Sequence, residues 1–129
     1  MTAAENATAL LAVLNAAVAP RKVYTLDKVP SPRPANYVEI GLSRRFGGER
    51  KMSTDITPKF YRLTVRSVAQ MSTNAVQDDL EKCRAALEFQ RITVDGRSST
   101  PIQFETEDPA EPDGTWFSGL LVFTYTIRD

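Results

Sequence analysis

The chain has 129 residues, with 16 Lys+Arg balanced by 16 Asp+Glu, one Cys and no His. That length suits one domain with its own core, spanning residues 1–129. Neutrality argues against a dedicated nucleic-acid binder, whose domain is usually basic. A single cysteine, Cys83, excludes an intrachain disulfide, and the missing histidines remove the usual general base and the commonest zinc ligand.

The elements follow in chain order. Thr2 and Glu5 have capping-box spacing, and Leu10, Leu14, Ala17 and Val18 recur at helical intervals before Pro20. Glu5 and Asn15 interrupt the apolar run, and no positive n-region precedes it. It reads as the first helix of a soluble, intracellularly made protein rather than a signal peptide or membrane span. Val23–Leu26 is a short strand, and the three prolines of VPSPRPAN make an extended connector. From Tyr37 to Leu42 the residues alternate, with Val38, Ile40 and Leu42 on the apolar side.

The stretch 43–58 has no periodicity and reads as a long loop. It holds SRRFGGERKM, in which Arg44, Arg45, Arg50 and Lys51 crowd around a Gly-Gly pair with Phe46. No phosphate-loop pattern accompanies the glycines, and they lie between two strands rather than at a helix start. Phe60–Ala69 alternates again, with Tyr61, Leu63 and Val65 opposite Arg62, Thr64 and Arg66. Ser72, Thr73 or Asn74 caps a second helix, whose apolar stripe is Val76, Leu80, Cys83 and Leu87. Cys83 on that stripe is a small buried hydrophobe. Asp78 with Lys82 and Arg84 with Glu88 form i,i+4 pairs on the wet side.

Ile92–Val94 runs into the turn Asp95-Gly96, and Ile102, Phe104 and Thr106 begin another strand. The following ETEDPAEPDG carries Glu105, Glu107, Asp108, Glu111 and Asp113. With Pro109 and Pro112 it reads as a solvated acidic loop without EF-hand spacing. Trp116–Arg128 is the longest strand, apolar on both faces and therefore interior. The expected fold is α+β: a mixed, largely antiparallel four- to five-stranded sheet with two helices packed on one face. No residue set suggests a cofactor, a metal site or a catalytic centre.

These blocks resemble the tail terminator (tail completion) proteins of long-tailed phages, siphovirus-type and actinobacteriophage-like. The likeness rests on ALLAVLNAAVA, VYTLDKVP, PANYVEIG, RLTVRSVAQMSTNAVQDDLEKCRAAL, ITVDGR and PDGTWFSGLLVFTYTIR. It spans most of the chain, and 43–58 is its least typical part. The resemblance implies a non-enzymatic virion protein at the head-proximal end of the tail, assembled in the host cytoplasm. It implies self-association as a ring, typically a homohexamer, on the tail-tube protein, below the head–tail connector protein, with DNA passing through the lumen. No membrane partner is implied. The basic and acidic segments are complementary, so Arg44, Arg45, Phe46, Arg50, Lys51, Glu105, Glu107, Asp108, Glu111 and Asp113 are candidate interface residues. A head–tail connector or minor tail component is a related alternative. A small nucleic-acid-binding module is one from another class.

Overall fold

Alternating apolar residues place three long strands side by side. In the computed structural model, which describes residues 3–19, 21–26, 28–45, 58–70 and 73–128, these are β2 (Asn36–Arg45), β3 (Pro58–Ala69) and β7 (Trp116–Arg128). With β1 (Val23–Thr25) and β6 (Gln103–Asp113) they form a five-stranded sheet of order β1-β2-β3-β7-β6. Only β1 and β2 run parallel. A two-stranded ribbon of β4 (Thr93–Val94) and β5 (Arg97–Ser98) turns through Asp95 and Gly96. Both have positive φ (52° and 77°), which a tight hairpin turn of the primed kind requires.

Register explains the core. Ile40 stands opposite Val65, and Val65 opposite Leu121, while Leu63 pairs with Phe123. This apolar face carries the helices α1 (Ala3–Val18) and α2 (Thr73–Leu87). Leu10, Leu14 and Val18 of α1 and Val76, Leu80, Cys83 and Leu87 of α2 join one buried cluster with the sheet. The fold is thus α+β with both helices on one face, as the sequence implies. β7 lies between β3 and β6, consistent with its apolar content on both sides.

Two segments differ from expectation. Ser43, Arg44 and Arg45 continue β2 opposite Arg62, Tyr61 and Phe60, so the ladder runs further than the apolar alternation. The acidic segment is not a loop: all of 103–113 belongs to edge strand β6, hydrogen-bonded to β7. Register shifts between Phe104 and Thr106 and between Asp108 and Glu111 absorb its irregularities. An edge strand needs hydrogen bonds on one side only, which is where prolines are tolerated.

Polar contacts fix α1. The Tyr125 hydroxyl donates to Asn6 Oδ1 at 2.9 Å inside the core, and the Val23 amide donates to Asn15 Oδ1 at 3.0 Å. Burial, then the neighbouring Tyr61, push the Tyr125 phenol well above its ordinary pKa, so it stays protonated and donating. Tyr125→Phe is expected to cost about 1 kcal/mol, measurable by urea denaturation, with the secondary structure unchanged.

Candidate assembly surfaces

The face of the sheet away from the helices is mixed, with Tyr37, Val68 and Val122 buried beside its polar and charged residues. Alternation puts Glu39, Arg62, Thr64, Arg66 and Thr124 there, because their neighbours serve the core. Arg66 donates to Glu39 at 2.8 Å, and this pair is mostly withdrawn from water. Arg62 reaches Glu105 at 3.8 Å, where both side chains are exposed and the pair is worth about 0–1 kcal/mol. At one end the connector crosses this face, and the Arg33 guanidinium stacks 3.9 Å from the Trp116 ring centroid.

The two charged segments take different places on this frame. Arg44 and Arg45 end β2 at one extremity of the sheet. Phe46, Arg50 and Lys51 lie outside the described residues. Glu105, Glu107, Asp108 and Glu111 lie along edge strand β6, and Asp113 ends it opposite Trp116. Glu105, Asp108 and Glu111 are exposed. Strands β3 and β7 separate β2 from β6, so about 14 Å lies between the two strands. From Glu105 onward β6 also runs away from the Arg45 end. The fold therefore brings Glu105 to Arg62 but does not bring the acidic row to Arg44 and Arg45.

The sequence reading passed over a buried ionic cluster. Asp79 sits on the apolar stripe of α2, one position before Leu80, and is 1% exposed. Arg21 donates to its Oδ1 at 2.7 Å, and the Ser67 hydroxyl donates to its Oδ2 at 3.4 Å. Desolvation raises the Asp79 pKa, while the Arg21 charge opposes the rise. An acid in register with apolar stripe residues was the available signal, since such an acid needs a partner. A hydroxyl beside a carboxylate is the arrangement of a nucleophile and its base, but Ser67 and Asp79 are both sealed between α2 and the sheet. The Cys83 thiol is pushed up to about 12 by burial and then by Asp79, so it stays protonated and unreactive at neutral pH.

Two apolar surface features were also missed. Phe89, just past α2, is 74% exposed with φ 66°. Near the other edge of the sheet, a groove of about 520 Å³ lies between α1 and the β1–β2 edge. Both were hidden because isolated aromatic and aliphatic residues look like core residues in a sequence. Among the described residues, no helix is long and apolar enough to cross a membrane.

No family model matches the chain, and neither does any curated protein. Solved structures do. A chain from the virion of a native gene transfer agent particle superposes with a TM-score of 0.70 at 15% identity, covering 92% of this chain and 86% of that one. A second solved chain gives a TM-score of 0.65 at 11% identity, covering 96% and 91%. At these identities the likeness concerns the fold, and the chain shares that fold nearly end to end with a component of a virion particle.

Proposed function

We propose that this protein is a structural virion component that caps a tail tube as a ring, stopping its growth and offering a surface to the head connector. The observation that carries this reading is the shared fold with a virion chain over 92% of the residues. The block-by-block resemblance to tail terminators supports the finer role. So does the placing of the strands: β3 and β7 lie between the β2 end that holds Arg44 and Arg45 and the acidic strand β6, which suits contacts between copies. Two different patches meeting head to tail are what build a closed ring.

Native mass spectrometry over a concentration series, with negative-stain images and a tail-tube binding assay, tests the reading. Rings of one size that cap tubes support it, and a strictly monomeric protein without tube affinity refutes it. Reversing Arg44, Arg45, Arg50 and Lys51 to Glu together should weaken ring formation or capping by roughly thirtyfold, about 2 kcal/mol summed over weak exposed pairs. The wild-type interaction should weaken with salt in the same assay. Intact assembly and capping by the reversed protein in moderate salt would remove these residues from the interface.

A further inference from the structure

Phe89 pays twice for its position. Helix C-termini usually place glycine in the left-handed region, because a side chain there is strained. Here a phenylalanine occupies it, and its ring faces solvent. The backbone holds it rigidly: the Phe89 amide donates to the Ile102 carbonyl at 2.8 Å, and the Ile102 amide donates to the Gln90 carbonyl at 2.7 Å. A strained, exposed and preorganised aromatic suits an interface anchor better than it suits the monomer.

The groove between α1 and the β1–β2 edge has complementary properties. Ala4, Thr8, Leu11, Leu26 and Gly41 line it, and Leu26 is itself 58% exposed. At about 520 Å³ it exceeds the roughly 150 Å³ apolar cavity that accepts benzene. Lys28 is at its rim, whereas Glu81, Arg84 and Glu88 flank Phe89, with Arg84 paired to Glu88 at 3.2 Å. With Glu88 matched by Arg84, Glu81 leaves a net negative charge beside the knob, opposite in sign to Lys28 at the hole.

Their positions also match. The groove reaches the sheet at Ile40–Leu42, level through the ladder with Leu121–Phe123 of β7. Phe89 is clamped to Ile102, immediately before Gln103, which pairs with Thr124. Knob and groove thus lie at nearly the same height along the strands, near opposite edges of the sheet. A contact between them repeats sideways with little rise, the condition for a ring that closes rather than a filament.

We infer that Phe89 of one copy inserts into the α1–β1/β2 groove of the next, with Glu81 facing Lys28. This rests on the ring reading above and names the contact that would close the ring. Phe89→Gly removes the knob while relieving the backbone, and Ala4→Glu with Thr8→Glu blocks the groove with charge that repels the incoming Glu81. Each variant alone should lose the ring, with self-affinity at least about tenfold weaker. The thermal midpoint of Phe89→Gly should be unchanged or higher, which a packing role for the ring would not allow.

Native mass spectrometry of the two variants mixed in equal amounts should show a 1:1 dimer and nothing larger, since each pair retains one intact contact. Rings that persist in either variant alone overturn the inference and leave the ring reading standing. A mixture that stays monomeric while the wild type forms rings does the same. Variants that keep the ring but no longer bind tubes would assign the groove or knob to the tube, also against the inference. A wild type that never assembles refutes the ring reading itself.

Discussion

Arg21→Ala is expected to lower stability at pH 7 by about 3 kcal/mol, because it strands the Asp79 carboxylate in the core without its countercharge. Arg21 is the guanidinium that reaches Asp79, at 2.7 Å, and the carboxylate is 1% exposed. In the wild type, burial raises the Asp79 pKa above its ordinary 3.8, with Arg21 pulling the other way. The folded form thus holds the proton more tightly than the unfolded form. Asp79 therefore contributes most stability below about pH 3.8, and that contribution is lost as pH rises through the folded pKa. Without Arg21 the folded pKa climbs further and the loss extends toward neutrality.

The deficit of Arg21→Ala should accordingly grow from pH 4 to pH 7 in urea denaturation. Adding Asp79→Asn removes the stranded charge and should recover most of the loss, while Asp79→Asn alone should cost less than about 1 kcal/mol. Equal stability of Arg21→Ala and the double variant at every pH would refute this account.

Gly119→Val should cost about 3 kcal/mol, although β propensity favours valine in a strand. A Cβ at Gly119 would lie 2.6 Å from Leu80 Cδ1 and 3.2 Å from both Val76 Cγ1 and the Ala110 backbone nitrogen. Leu80 and Val76 are fully buried in α2, and Ala110 belongs to the β6 backbone, so little can yield. Gly119 pairs with Ser67, and this small-residue step is where α2 lies close to the sheet and Asp79 meets Ser67. Thermal unfolding of Gly119→Ala and Gly119→Val should show a graded loss, partly relieved by Leu80→Ala in the alanine variant. A valine variant as stable as the wild type would mean that α2 shifts freely.

The architecture was legible where one physical signal dominated. Alternation marked β2, β3 and β7, and the 3.6-residue stripe marked α1 and α2. The surface pairs Lys82–Asp78 at 3.0 Å and Arg84–Glu88 at 3.2 Å follow directly from helical spacing. Local signals failed where tertiary pairing overrode them. Pro109, Pro112 and five acids suggest a loop, yet one-sided pairing to β7 and two register shifts make them an edge strand. Arg44 and Arg45 lack apolar alternation, but β3 supplies their ladder partners.

The candidate surfaces were legible as charge and illegible as shape. Sequence showed complementary segments; it did not show that β3 and β7 lie between the strand end at Arg44–Arg45 and the acidic strand β6. Nor did it distinguish Phe89 from a core phenylalanine, because that depends on the left-handed backbone after α2. Asp79 was concealed by two true surface pairs on the same helix, although its position on the apolar stripe distinguishes it.

The bond between Tyr125 and Asn6 joins residues separated by 119 positions. Likewise β3 receives its second neighbour only when β7 arrives. During synthesis, α1 therefore leaves the ribosome long before Tyr125, although its partners in β1, β2 and α2 follow it sooner. Nascent chains stopped before Trp116 should carry a half-built sheet, with α1 lacking its Tyr125 bond. Folding then becomes a late, nearly all-or-none event. A protein destined for assembly gains from that timing, because unfinished chains cannot present the finished edges to their neighbours.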